Sequence, residues 1–165
     1  MLLVFILLSG FALRLYKLGE SSLWYDETVS AFLARQSVLE LIGHTARDIH
    51  PPAYYLLLHF WTMLVSDSEF ALAYFSLIFG VLLIALTYRL ARFLTRANIA
   101  IWAALLVAFS PFNVWYSQEV RMYTLGAALG VAATYCALKA LKQAQPIFRF
   151  QSKFTLSWLG YVNFD

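Results

Sequence analysis

The chain has 165 residues, of which 62% are hydrophobic, 18% aromatic and only 13% charged, and its net charge is +3. Soluble domains are closer to half apolar and a quarter charged, so this composition excludes an ordinary soluble protein and indicates a multi-pass membrane protein. No run of lysine and arginine is long enough to follow a phosphate backbone, which argues against nucleic acid as a partner.

Uncharged apolar runs mark the candidate membrane segments, at 1–13, 53–66, 70–88, 97–118 and 122–138. A helix needs roughly 20 residues to cross about 30 Å of hydrocarbon. The third and fourth runs reach this length, and the first and last do so once flanking basic and tyrosine side chains snorkel to the interface. As a helix, 53–66 would reach only about 21 Å, so it is doubtful as a span. The sequence therefore predicts an all-α membrane helix bundle with about four spans.

Basic residues at the ends of the runs predict the orientation. Arg89, Arg92 and Arg96 have no acid near them, and the positive-inside tendency places them in the cytoplasm. This requires that 53–66 does not cross, so that 15–69 forms one extracytoplasmic loop rich in acidic residues. If 53–66 crossed instead, the three arginines would be extracytoplasmic. We expect a bacterial inner membrane protein with its polar chemistry on the extracytoplasmic face.

Two short amphipathic helices are predicted within the outer loop. Val29, Phe32 and Leu33 recur at helical spacing, and Ser37 with Glu40 forms a capping box ahead of a second apolar stretch. Both helices suit a position in the interface plane.

Asp26 and Glu27 follow Trp24 and Tyr25, beyond the first predicted helix. One interpretation is a solvated pair, or acidic residues in the first turn of the next helix. The other is a general base or a metal-binding carboxylate above the membrane.

Asp48 and His50 precede the double proline Pro51-Pro52. The prolines restrict the backbone, and in an extended chain both side chains point the same way. A rigid turn would explain this motif too. A divalent metal ion held by Asp26, Asp48 and His50 is a further hypothesis, although the spacing matches no known ligand signature.

The segment from Ser117 to Tyr123 should cap a membrane helix just after a kink at Pro111. In a continuous helix Gln118 and Arg121 would be neighbours, and so would Glu119 and Tyr123. Arg121 presents a fork suited to phosphate, although snorkelling or a structural pair with Glu119 would also explain it.

A packing role is predicted for three further residues. Gly126 and Gly130 form a small-residue face typical of helix contacts, and Cys136 is predicted to be a small buried packing residue.

Taken together, four motifs resemble the N-terminal module of the membrane-embedded GT-C glycosyltransferases, in the branch of protein O-mannosyltransferases and aminoarabinose transferases. The motifs are Leu13-Arg14-Leu15-Tyr16-x-Leu18-Gly19, Leu23-Trp24-Tyr25-Asp26-Glu27, Asp48-x-His50-Pro51-Pro52-x-Tyr54-Tyr55 and Tyr116-Ser117-Gln118-Glu119-x-Arg121-x-Tyr123. The resemblance implies transfer of a sugar, with inversion, from a polyprenyl-phosphate lipid to a protein, lipid or glycan acceptor.

The resemblance also implies roles for individual residues. Asp26 would be the base that activates the acceptor, or a metal ligand, and Glu27 would support it. The acceptor or metal pocket would include Asp48 and His50. The donor and its phosphate would be bound by Arg14, Gln118, Glu119, Arg121 and Tyr123.

Members of this family usually have eight or more spans, so residues 1–142 would be the N-terminal membrane module and 143–165 an atypical tail. The alternative is a non-catalytic membrane scaffold or subunit, or an inactive fragment of such an enzyme, that keeps the fold. A small transporter is disfavoured, because the apolar runs hold no charge for a pathway.

Overall fold

Eight α-helices make up the part of the chain that the computed structural model describes, which is residues 1–47 and 51–159, with side chains described as far as 144. The all-α prediction is confirmed for these residues. The helices are α1 (Leu2–Leu15), α2 (Tyr25–Ala34), α3 (Val38–Thr45), α4 (Pro52–Leu64), α5 (Glu69–Leu94), α6 (Ala97–Phe109), α7 (Pro111–Gln118) and α8 (Tyr123–Leu159).

Two of these helices are long and apolar enough to cross a membrane, namely α5 and the first 22 residues of α8. The pair α6 and α7, bent by 54°, would be a third span if it crosses as one unit. With 14 residues, α1 is a shorter apolar helix of about 21 Å. The predicted four spans are therefore reached only if both the bent pair and α1 cross. As predicted, α4 is short, with 13 residues.

The long helix α5 is the centre of the bundle, because α1, α4, α6, α7 and α8 all pack against it. Its start is capped by Ser68, whose side chain accepts from the backbone N–H of Ala71. One apolar cluster joins α5 to the short helices through residues such as Leu41, Leu58 and Leu77. A second cluster, around Ile84, joins it to α1 and α6. The short helices are thus attached to one end of the membrane helices.

The predicted short helices are confirmed in α2 and α3. Ser37 and Glu40 form the capping box, with the Ser37 hydroxyl donating to the Glu40 carboxylate at 2.6 Å. This hydrogen bond lowers the pKa of the exposed Glu40 carboxyl. A contact that the sequence did not indicate joins α2 to α4, where His59 Nδ1 lies 2.9 Å from the carbonyl oxygen of Ala34.

The kink predicted near Pro111 is confirmed, because α6 ends at Phe109 and α7 begins at Pro111. Pro111 has no N–H to continue the α6 ladder, and Ser110 caps the new helix by accepting from the N–H of Asn113. The predicted continuous helix through 118–123 is wrong. Glu119 is extended, so residues 119–122 form a turn before α8.

The predictions for Gly126, Gly130 and Cys136 are also wrong. A methyl group added at either glycine would meet nothing within 4 Å, and Cys136 is exposed. The small-residue face of α8 therefore contacts no helix in the described part of the chain.

Candidate functional site

Glu27 joins the start of α2 to the turn between α7 and α8. Its side chain is buried, with one carboxylate oxygen accepting from the N–H of Trp24 at 2.9 Å. The other oxygen accepts from the N–H of Val120 at 2.7 Å, across 93 positions of sequence. Since both oxygens bind backbone donors, Glu27 holds two chain segments together. Glu27 therefore has a structural role at this junction, and the catalytic roles predicted for Asp26 and Glu27 stay predictions.

A pocket of about 370 Å³ opens beside this junction and gathers most of the predicted site residues. Its size lies in the range of small-ligand sites. The lining residues are Trp24, Tyr25, Asp26, Glu27, Tyr116, Glu119, Arg121 and Tyr123. Five of the nine predicted site residues are thus brought together, and the pocket combines an exposed carboxylate with a guanidinium.

Sequence reasoning missed the aromatic part of this pocket. Trp24, Tyr25 and Tyr116 line it, although they had appeared only as members of motifs. The rings of Tyr116 and Tyr123 meet edge to face, with centroids 4.8 Å apart. The sequence did offer an indication, because Trp24 and Tyr25 directly precede Asp26 and Tyr116 lies five residues before Arg121.

Arg121 lies at the wall of the pocket next to Asp26. Only 6% of the residue is exposed, and its Nη1 donates to the backbone oxygen of Asp26 at 3.2 Å. The guanidinium lies 5.8 Å from the centre of the Tyr123 ring. This arrangement fixes the direction of the guanidinium beside the pocket.

The electrostatic surroundings keep Arg121 positively charged. Burial lowers its pKa, but a side-chain hydrogen bond with Tyr123 and the nearby Tyr55 and Asp26 raise it. The net effect places the pKa of Arg121 above its ordinary value. Arg121 therefore brings a constant positive charge to a pocket that Asp26, Glu27 and Glu119 also line, and its guanidinium suits an anionic group such as phosphate.

Glu119 and Gln118 contact the protein in different ways. One carboxylate oxygen of Glu119 accepts from the indole N–H of Trp115 at 2.6 Å, and Glu119 lines the pocket. Gln118 does not line it. Its amide nitrogen instead donates to the carbonyl oxygens of Arg14 and Tyr16, at 3.0 and 2.8 Å.

Arg14 is fully buried and is not among the residues that line this pocket. Its guanidinium donates to Ser117 and to helix carbonyl groups. The phosphate-binding role predicted for Arg14 and Arg121 stays a prediction, and of the two only Arg121 lines the pocket.

Asp48 and His50 lie outside the described residues. Among the residues that are described, no three histidine, cysteine, aspartate or glutamate side chains are grouped to hold a metal ion. The divalent metal site of Asp26, Asp48 and His50 stays a prediction.

A second, smaller cleft of about 120 Å³ shares part of its lining with this pocket. Trp24, Glu27 and Glu119 belong to both clefts, while Glu69 and Trp115 line only the smaller one. Each cleft is lined by three acidic residues and one basic residue, which is Arg121 in the larger cleft and Lys17 in the smaller one.

Comparison with known proteins supports the resemblance drawn from the motifs. The family model described as dolichyl-phosphate-mannose-protein mannosyltransferase matches residues 49–154, nearly two thirds of the chain. The matched range contains Gln118, Glu119, Arg121 and Tyr123, whereas Asp26 precedes it. Comparisons with curated proteins and with solved structures found no match. From the family match, the chain belongs to the dolichyl-phosphate-mannose-protein mannosyltransferase family.

Proposed function

We propose that this chain is the membrane module of a glycosyltransferase that moves a sugar from a polyprenyl-phosphate donor to an acceptor hydroxyl. The observation that carries this proposal is that Asp26 and Arg121 line the same pocket. Transfer from a phosphate needs a base for the acceptor and a cation for the departing phosphate, and the two side chains supply these groups. The family match supports the same chemistry.

In the proposed reaction, Arg121 and Tyr123 bind the phosphate of the donor. The acceptor oxygen attacks the anomeric carbon while Asp26 takes the hydroxyl proton. The bond from the anomeric carbon to the acceptor oxygen forms as the bond to the phosphate oxygen breaks, and the polyprenyl phosphate leaves with its negative charge. Direct displacement of this kind inverts the configuration of the sugar.

The donor sugar is proposed to be mannose, following the description of the family. The acceptor is proposed to be a protein, lipid or glycan that reaches the pocket from the water side.

A second candidate function is a non-catalytic subunit that binds a lipid phosphate. The family model matches only from residue 49 onwards, so the family match does not cover the proposed base Asp26. Such a subunit would keep Arg121 and the aromatic residues of the pocket, and it would bind the donor without transferring the sugar.

The proposal is tested with membranes that contain the full chain and matched membranes that lack it. We expect radiolabelled mannose to move from polyprenyl phosphate into an acceptor fraction only when the chain is present. Saturable binding of the labelled donor without transfer would favour the second candidate. Neither binding nor transfer, across mannose and a panel of other hexose and pentose donors, would contradict both.

We further propose that the pocket faces the extracytoplasmic side, because Arg89, Arg92 and Arg96 favour the cytoplasm for the opposite end. In a Cys136→Ala background, Ser21→Cys should react with a membrane-impermeant maleimide in intact cells. Thr95→Cys, at the end of α5, should react only after lysis. Both native residues are exposed. The reverse pattern would place the pocket in the cytoplasm.

A further inference from the structure

Arg14 lies fully buried in the apolar helix α1 and connects three helices. Its Nε donates to the hydroxyl oxygen of Ser117 on α7 at 3.0 Å. Its Nη1 donates to the carbonyl oxygens of Gly10 and Ala108, at 3.0 and 2.9 Å, and its Nη2 to that of Val107 at 3.1 Å. These four acceptors are all neutral. A buried cation of this kind is costly unless its donors are satisfied, so its position requires a reason.

The break between α6 and α7 supplies that reason. In an uninterrupted helix, the carbonyl oxygen of Val107 would accept from the N–H of residue 111, which is a proline and has none. The carbonyl groups at the end of a helix lack intrahelical partners and carry partial negative charge. Arg14 donates to two of these groups, those of Val107 and Ala108, and thereby stabilises the broken helix.

Two glycines make room for the guanidinium. A methyl group added at Gly80 would overlap the side chain of Ser117 and would lie 3.2 Å from Arg14 Nε. One added at Gly10 would lie 2.7 Å from a methyl carbon of Ile84 and 3.4 Å from Arg14 Nη1. Close approach of α1, α5 and α7 around Arg14 therefore depends on the absence of side chains at both positions.

The contact between α1 and α7 is made from both sides and lies next to the pocket in the chain. Gln118, at the end of α7, donates back to the carbonyl oxygens of Arg14 and Tyr16. The next residues in the chain are Glu119, which lines the pocket, and Val120, which donates to Glu27. The direction of α7 thus determines where the turn before α8 meets α2.

From this geometry we infer that Arg14 is a positioning residue. It fixes the bend between α6 and α7 and so places Glu119 and Arg121 at the pocket, without touching the donor. The inference rests on the proposed function for its catalytic consequence, but the bend can be measured without any sugar transfer.

The test uses the full chain with spin labels at Ile99 on α6 and Phe112 on α7, both exposed, in a Cys136→Ala background. We expect Arg14→Lys to broaden or shift the distance between the labels, and Arg14→Met to do the same. A lysine keeps the charge, but its single ammonium group cannot span Ser117 and both carbonyl oxygens as the planar guanidinium does. The maximal rate of transfer should fall about 100-fold, as expected when reacting groups are misplaced by roughly 1 Å.

Variants at buried neighbours keep the inference testable if the Arg14 variants fail to fold. Ser117→Ala removes one acceptor and should change the label distance less, in the same direction. Gly80→Ala should disturb the bend, whereas Gly126→Ala, where an added methyl meets nothing, should not. An unchanged distance in Arg14→Lys or, where that variant does not fold, in both Ser117→Ala and Gly80→Ala would overturn the inference. An unchanged distance together with weaker binding of polyprenyl phosphate by Arg14→Lys would instead make Arg14 a direct phosphate ligand.

Discussion

Replacing Asp26 by asparagine should abolish sugar transfer while the protein still inserts into the membrane and binds its donor. A general base contributes about 10²- to 10⁴-fold to a rate, and an amide cannot take the proton of the acceptor hydroxyl. The Asp26 residue is exposed at the pocket. Its backbone oxygen accepts from Ser30 and Arg121, and asparagine retains both of these hydrogen bonds. The loss should therefore appear in the maximal rate of transfer rather than in folding.

The neighbouring carboxylate provides the matched control. Glu27→Gln makes the same chemical change one residue away, but there both oxygens accept from backbone N–H groups. The amide NH₂ would face one of these donors, and a buried unmet donor costs about 1–3 kcal/mol. Glu27→Gln should thus lower the thermal unfolding temperature, whereas Asp26→Asn should not. If Asp26→Asn kept normal transfer, Asp26 would not be the base.

Local signals in the sequence were sufficient to predict much of the fold. Hydropathy indicated a helical membrane protein, the spacing of Ser37 and Glu40 predicted the start of α3, and Pro111 predicted the break after α6. The cap and the break each depend on residues within about one helical turn of each other, where side-chain chemistry acts directly on the backbone, and hydropathy depends on the composition of one continuous run. The shortness of α4 followed in the same way from the length of its apolar run.

Which of the polar residues line the pocket and which bind the protein itself could not be predicted in this way. Arg14 and Gln118 carry groups that suit a phosphate donor, yet both bind the protein itself, through contacts that span about 100 positions. The amino-acid sequence does not indicate which polar side chain will donate a hydrogen bond to a carbonyl group far away in the chain. The helical pairing predicted for 118–123 failed because Glu119 is extended and Val120 turns toward Glu27. That contact becomes possible only after α2 and α7 have packed.

Arg121→Met should lower the rate of transfer per bound donor by about 10²- to 10³-fold, the effect typical of removing one group that stabilises developing negative charge. The departing polyprenyl phosphate gains charge in the transition state, and Arg121 is the cation at the wall of the Asp26 pocket. Because the pKa of Arg121 is raised, the residue stays charged throughout the neutral range. In the neutral pH range, titration of Arg121 should therefore not contribute to the pH dependence of the transfer rate.

Two further variants separate the charge of Arg121 from its geometry. Arg121→Lys keeps the charge but loses the planar fork that donates to the Asp26 backbone, so its rate should lie between those of the wild type and Arg121→Met. Tyr123→Phe keeps the ring beside the guanidinium and removes only the hydroxyl, so its effect should be smaller, about tenfold or less by the usual worth of one hydrogen bond. Single-turnover transfer and donor binding, measured on the same membranes, distinguish these cases. Equal rates for Arg121→Met and the wild type would show that the phosphate leaves without help from this side chain, and the cation would then have to be sought elsewhere.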